Sequence, residues 1–144
     1  MSWAKRKKTS VSFAMLRRDI FESPAWLSLP ANPRCVWQFI LQQYNGYNNG
    51  DIAVSVRDAA KNVLITKSTA GRAIHDLIDR GFIKVTVNSG FSMKSGRRAR
   101  RFALTHEPLN NRRATNEWRK WEDPKSERGP TRGTARSDQR DAKE

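Results

Sequence analysis

The sequence has little of several residue types, and each shortage excludes a class of protein. Cys35 is the single cysteine among 144 residues, so the chain can form neither an internal disulfide nor a metal site built from several thiolates. No stretch approaches the roughly 20 apolar residues of a membrane helix. The basic N-terminus is not followed by the apolar segment of a secretory signal. We therefore expect a soluble, cytoplasmic protein in which Cys35 is a buried, reduced thiol.

Catalytic motifs are also scarce. Neither histidine, His75 or His106, has a carboxylate or cysteine partner at a recognisable motif spacing. The sequence contains no GxxxxGK[ST] phosphate loop and no Cys/His cluster with metal-ligand spacing. The string "KST" at 67–69 is better explained by helix capping than by a nucleophile. We predict a protein that is not an enzyme and that has no metal, no cofactor and no small-molecule ligand.

Acidic residues are few compared with basic ones. The chain has 14 Asp and Glu against 28 Lys and Arg, which gives a net charge of +14 and an isoelectric point of about 10.9. Such an imbalance favours a polyanionic partner. Nucleic acid is the first candidate, and an anionic membrane surface or a simple gain in solubility are the alternatives. At this length the chain supports one small domain with tails.

Composition divides the chain into three parts. Residues 1–10, "MSWAKRKKTS", form a basic arm whose charges are Lys5, Arg6, Lys7 and Lys8. Residues 11–122 contain the apolar patterns of a folded domain. Residues 123–144 contain no aromatic residue and no Leu, Ile or Val, which predicts a disordered tail. The arm is expected to add non-specific affinity for nucleic acid or to reach into a groove, whereas a solvated tail is the plainer alternative.

Within the domain the signals for helices and strands follow a definite order. "NPRCVWQFILQQY" predicts a mostly buried helix with Asn32 as its N-cap and Pro33 at its first position. "NGYNNG" predicts a turn and "DIAV" a short strand. Ser55, with Asp58 three positions later, caps a short helix "VRDAAKNV". A second helix follows after a tight turn, and "FIKVTV" then predicts a strand that leads into a hairpin.

The second of these helices, predicted over residues 67–80, has a buried and an outward face. Thr66 is its N-cap, Gly81 its C-terminal stop, and Ala70, Ile74 and Leu77 recur at helical spacing on the inner face. Short polar and long basic side chains cover the outer face at its N-terminal end. Such side chains suit base edges and phosphates in a major groove about 12 Å wide. The predicted contact residues are Thr66, Lys67, Ser68, Thr69, Arg72 and His75.

The hairpin predicted over residues 88–101, here called the basic hairpin, concentrates positive charge where a strand begins. "KSGRRARRFALT" places five cations within residues 94–101: Lys94, Arg97, Arg98, Arg100 and Arg101. Alternation puts Arg98, Arg100, Phe102 and Leu104 on one face of a single returning strand. Like charges crowded beside a buried strand imply an external polyanion that compensates them. We expect the hairpin to lie along phosphates or in the minor groove.

This order of elements predicts an α+β winged helix-turn-helix domain, with a three-helix core and a β-hairpin wing. The segment "NNGDIAVSVRDAAKNVLITKSTAGRAIHDLIDRGFI" resembles winged helix-turn-helix proteins of bacterial phages, plasmids and integrated mobile elements, including replication-type and regulatory proteins. The resemblance extends over most of residues 11–124 and implies DNA binding. One departure is Leu64, which stands where the turn usually has Gly, so we expect a wider turn or a register shifted by one residue.

The predicted function is sequence-specific binding of double-stranded DNA, as a transcriptional regulator of a mobile element associated with the nucleoid. A replication initiator or partition-type origin-binding protein is the alternative within DNA binding. A structural RNA-binding protein is the alternative of another class, although the deep, narrow major groove of A-form RNA does not readily admit a helix. A homodimer and contacts with the transcription or replication machinery remain open, since no heptad seam is visible. Trp118 and Trp121 are expected to pack a short helix onto the domain, or else to contact a partner.

Overall fold

The computed structural model describes residues 12–94 and 96–125, which form an α+β arrangement of short helices and small antiparallel sheets. The elements in chain order are α1 (Arg18–Phe21), α2 (Pro24–Leu27), α3 (Ala31–Gln43), β1 (Ile52–Ala53), α4 (Val56–Val63), α5 (Lys67–Asp79), β2 (Ile83–Val87), β3 (Gly90–Ser92), β4 (Gly96–Arg98), β5 (Arg101–Leu104) and a 3-10 helix (Glu117–Lys120). Within the described ranges, no helix has both the length and the apolar character needed to cross a bilayer. The predicted arm, residues 1–10, and residues 126–144 of the predicted tail lie outside the described residues.

The core is built around aromatic side chains contributed by several elements. Trp26 of α2 contacts Trp37 of α3 edge to face, with ring centroids 5.2 Å apart, and also contacts Phe82 at 5.8 Å. Trp37, Phe82 and Phe102 are fully buried. Side chains of this size bury large apolar areas and dominate the energetics of a small core. Helices α3, α4 and α5 pack around this cluster, as the apolar spacing predicted.

Helix α3 begins earlier than predicted. Its first residue is Ala31, Pro30 occupies the N-cap position, and no side chain caps it, so the prediction of Asn32 as N-cap was wrong. Pro33 is tolerated at the third position because the first-turn N–H groups of a helix have no intrahelical acceptor. Cys35 is exposed, which corrects the prediction of a buried thiol. It lies on the outer face of α3, together with Gln38 and Gln42 at helical spacing.

The strands form two separate antiparallel sheets. The first has the order β1-β5-β2, with Ile52 opposite Phe102 and Ile83 opposite Leu104. The second consists of β3 and β4 alone. The single returning strand predicted from "ARRFALT" is therefore interrupted at residues 99–100, where the chain changes partners. Residues 102–104 are all buried, because β5 is the central strand of its sheet and both of its faces are covered.

The segment after β5 packs back onto the domain. Trp118 is buried and stacks on Phe82, with ring centroids 6.4 Å apart and planes inclined by 6°. Trp121 is partly buried under the guanidinium of Arg80, which lies 5.2 Å from the ring centroid. Gly81, with φ of 77°, is necessary here because an added Cβ would lie 2.8 Å from the Glu117 carbonyl carbon. The packing role predicted for the two tryptophans is confirmed.

Candidate nucleic-acid interface

The predicted caps of α4 and α5 are confirmed. The Ser55 hydroxyl accepts the Asp58 N–H at 3.0 Å and donates to the Asp58 carboxylate at 2.7 Å. The Thr66 hydroxyl oxygen accepts the Thr69 N–H at 3.2 Å, and the two threonine hydroxyls lie 2.8 Å apart. These bonds satisfy N–H groups that a helix start leaves without partners. Thr66 and Thr69, both predicted to contact DNA, are thus engaged in holding the start of α5.

The turn between α4 and α5 has the ordinary left-handed form, and our expectation of a wider or shifted turn was wrong. Leu64 itself adopts φ 60° and ψ 47°. The Ile65 N–H bonds back to the Ala60 carbonyl at 3.0 Å, the long-range bond of a Schellman helix end. Because the Leu64 side chain is 90% exposed, no packing clash adds to the backbone cost of this conformation. Helix α5 starts at Lys67, in the register predicted.

Helix α5 separates its buried and exposed residues as its periodicity predicted. Ala70, Ala73, Ile74 and Leu77 are buried, and Ile78 is partly buried. Of the six predicted contact residues, Thr66, Lys67, Ser68, Arg72 and His75 are exposed and Thr69 is half-buried. The acidic residue Asp76 forms an ion pair with Arg80, four positions along the helix, at 3.6 Å. The N-terminal part of the exposed face, from Lys67 to His75, contains no acidic residue.

The basic hairpin is a short ribbon formed by β3 and β4. Gly90 lies opposite Arg98, Phe91 opposite Arg97, and Ser92 opposite Gly96. Lys94, Arg97 and Arg98 are exposed, and Arg100 is half-buried at the base. There the Arg100 carbonyl accepts the Val54 N–H at 3.1 Å, which ties the hairpin to the end of β1.

Helix α5, the start of α4 and the basic hairpin border one cleft. Its volume is about 740 Å³. Gly71 and His75 line it from α5, and Arg97, Arg98 and Arg100 line it from the hairpin. Ser55, Arg57 and Asp58 complete the third side. The fold therefore brings His75 onto one concave surface with Arg97, Arg98 and Arg100, more than twenty positions away, and Asp58 is the single carboxylate among the described residues that line it. The other predicted contacts do not line this cleft: Thr66, Lys67, Ser68, Thr69, Arg72, Lys94 and Arg101.

Arg101 is placed differently from the other four cations of the hairpin. It belongs to β5, where it forms an ion pair with Asp51, and it does not line the cleft. It lies instead on a second concave surface of about 610 Å³, which Arg97 and Arg98 also border. Arg97 and Arg98 thus border both surfaces, and Arg101 pairs with Asp51 beside the second one.

Several residues that line the cleft were absent from the predicted contact residues, among them Arg57, Gly71 and Ser55. Arg57 follows the Ser55 cap by two positions on the first turn of α4, and the cap itself is a signal that its neighbours start a helix. Gly71 lies in the middle of α5, where glycine is unfavourable for a helix. An added Cβ there would meet nothing within 4 Å, so packing does not require the glycine. Ser55, the N-cap of α4, is another lining residue of the cleft that the prediction did not include.

His106 lies in the core rather than in the cleft. Its ring is 5.5 Å from that of Trp37, and neither ring nitrogen makes a hydrogen bond with any described residue. Burial, together with the positive charge of the nearby Arg17, lowers the pKa of His106 to about 4, while the Asp19 carboxylate opposes the shift. Among residues 12–94 and 96–125, no group of three His, Cys, Asp or Glu side chains is placed to hold a metal ion.

Comparison of the chain with protein-family models, with curated proteins and with solved structures yields no match.

Proposed function

We propose that the protein is a winged helix-turn-helix protein that binds double-stranded DNA sequence-specifically as a transcriptional regulator. The observation that carries the proposal is the cleft that α5 shares with the basic hairpin. In this proposal α5 enters the major groove and the hairpin contacts the flanking phosphates or minor groove. A helix of 13 residues is about 20 Å long, which is sufficient to span a major groove about 12 Å wide.

The chemistry of the exposed face of α5 supports base reading. Arg72 can donate two hydrogen bonds to guanine, while Ser68 and His75 offer shorter-range polar contacts. Lys67 at the start of the helix suits a phosphate. The adjacent Thr66–Thr69 cap fixes the first turn, so these side chains project from a defined backbone.

Gly71 supports a close approach at the middle of α5. A helical glycine costs about 1 kcal/mol relative to alanine, and nothing in the described fold packs against this position. Gly71 does line the cleft. A nucleic-acid backbone or base edge that comes close to the helix at this point would account for the absence of a side chain.

The hairpin supports electrostatic binding. Lys94, Arg97 and Arg98 are exposed on a narrow ribbon whose like charges repel each other in the free protein. Phosphates that meet these cations release condensed counterions, which adds a large, salt-dependent contribution to the affinity.

The decisive test compares Arg72→Ala with Arg98→Ala. Binding to a duplex obtained by affinity selection from fragmented genomic DNA would be measured beside binding to a duplex of scrambled sequence, over a range of salt. Arg72→Ala should lose about 1–3 kcal/mol on the selected duplex and little on the scrambled one. Arg98→Ala should weaken both duplexes alike and reduce the salt slope by about 1.

Lys120→Ala is the matched control, because it removes one exposed positive charge from the 3-10 helix, outside the cleft. It should leave the selectivity unchanged. Equal losses on both duplexes for Arg72→Ala and Arg98→Ala would contradict the proposed division between base reading and phosphate contact.

Sequencing of the affinity-selected genomic fragments would also separate a regulator from a replication or partition factor. Binding sites upstream of genes favour a regulator, and clustered repeats at one locus favour a replication or partition factor. Tighter binding to structured RNA than to any duplex at equal salt would overturn the proposal.

A further inference from the structure

The tip of the basic hairpin carries two large apolar side chains that the fold leaves uncovered. Phe91 on β3 is 74% exposed, and Met93 in the turn is 97% exposed. The hairpin has three paired residues in each strand and shares no strand with the other sheet. Ribbons of this size gain little stability on their own. The two side chains therefore make little contribution to folding, and water would favour polar residues in their place.

These apolar side chains lie directly beside positive charge. Phe91 and Arg97 are cross-strand partners, so their side chains project from the same face of the ribbon. Lys94 follows Met93 in the turn and is also exposed. An apolar surface that is meant to bury itself in a protein partner is normally depleted of Lys at its centre. Apolar residues flanked by cations suit a ligand with phosphates outside and stacked, apolar surfaces inside.

We propose that Phe91, assisted by Met93, is a wedge that enters a base-pair step of duplex DNA from the minor groove and bends the duplex. The inference depends on the proposed DNA binding and adds a second activity to it. Minor-groove proteins insert Phe and Met side chains in this way, and the partly unstacked step kinks the duplex by about 20–90°. Arg97 on the same face would hold the adjacent phosphates. Pyrimidine–purine steps such as TA unstack most easily and are the expected target.

The experiment measures binding and bending on the same DNA. A duplex of about 20 base pairs, with a single central TA step and a fluorescent dye at each end, reports its end-to-end distance by resonance energy transfer. Fluorescence anisotropy of the same sample reports binding, so bending is read only at saturation. The native protein should bind and increase the transfer efficiency. Phe91→Ala should bind at saturation with most of that increase lost, while Phe91→Leu, which retains an apolar wedge, should keep it.

Leu27→Ala is the matched control. Leu27 is 66% exposed on α2. Its neighbour Ser28 accepts a hydrogen bond from Arg80, the residue that follows α5, so Leu27 lies near the C-terminal end of that helix. It should bend the duplex as the native protein does. Because Phe91 is largely exposed, the melting temperature of Phe91→Ala should equal that of the native protein, which excludes misfolding as the cause of lost bending.

Binding without any increase in transfer would overturn the wedge and leave the proposed DNA binding intact. Equal bending by Phe91→Ala would likewise overturn it. Failure of the native protein to bind any duplex would contradict the proposed function itself. If Phe91→Ala instead lost binding to phosphatidylserine vesicles while the duplex stayed straight, the tip would be a membrane contact and the wedge would be wrong.

Discussion

His106 is an ionisable residue buried in the core, and its lowered pKa ties stability to pH. Its side chain is 1% exposed, and burial disfavours the charged imidazolium even though a Glu107 carboxylate oxygen lies 3.6 Å from Nε2. The folded protein therefore keeps the ring neutral at a pH where an unfolded chain would protonate it. Whenever the unfolded state binds more protons than the native state, stability falls as the pH falls.

We predict that the free energy of unfolding decreases between pH 6.5 and pH 4, the ordinary and the lowered pKa of His106. The decrease due to this residue across the window should be about 3 kcal/mol. Urea unfolding at a series of pH values measures it. His106→Phe, which keeps a ring against Trp37 but does not titrate, should flatten the dependence.

His75→Gln, which replaces the exposed histidine of α5, is measured over the same pH series as the control for loss of an imidazole. Asp19 does not interfere with the measurement. The hydrogen bond from Arg17 lowers the pKa of Asp19 from 3.8 to about 2, so its contribution is lost only below the His106 window. An equal slope for the native protein and His106→Phe would show that the ring is not the group responsible.

At the scale of the elements, local signals predicted α4, α5 and the first sheet well. Ser55 and Thr66 are caps whose effect is confined to one turn, and Gly81 adopts the positive φ that commonly ends a helix. These features depend on neighbouring residues alone. The predictions that failed depend on distant ones. The exposure of Cys35 depends on which side of α3 faces the core. The interruption of the predicted returning strand after Arg98 depends on strand pairing, because β4 pairs with β3 whereas β5 pairs with β1 and β2.

The candidate cleft was predictable only in part for the same reason. The outer face of α5 and the charges of the hairpin follow from the sequence, whereas the sharing of one cleft by Arg57, Gly71 and Arg97 depends on tertiary packing. Leu64 shows the opposite error, in which a local rule was applied too strictly. An exposed leucine can hold a left-handed conformation at a cost of about 1–2 kcal/mol when the helices on both sides impose it.

Gly71→Ala tests the relation between helix stability and function in α5. The added methyl group should stabilise the helix by about 1 kcal/mol and raise the melting temperature by about 4 °C. It should also weaken binding to the selected duplex, because it intrudes into the cleft. Gln38→Ala, on the exposed face of α3, should leave affinity unchanged. A stabilised Gly71→Ala protein that binds as well as the native protein would show that nothing approaches the helix there.

At the scale of the whole molecule, the net charge of +14 should act through the salt dependence of binding. We predict that replacing Lys5, Arg6, Lys7 and Lys8 by glutamine reduces the slope of log affinity against log salt by at most about 4. The preference for the selected over the scrambled duplex should not change, because phosphate contacts carry no sequence information. Anisotropy titrations at several salt concentrations measure both quantities.

An unchanged slope would mean that these four charges meet no phosphates in the complex. A lost preference would mean that the arm reads a groove.

The separation of the two sheets has a consequence for how such a protein can diversify. Strands β3 and β4 pair only with each other. The chain enters this ribbon at residues 88–89 and leaves it at residues 99–100. Lengthening, shortening or replacing the ribbon would leave every buried side chain of the core in place. Selection can therefore alter the reach and charge of this ribbon without the loss of stability that changes in the aromatic core would cause.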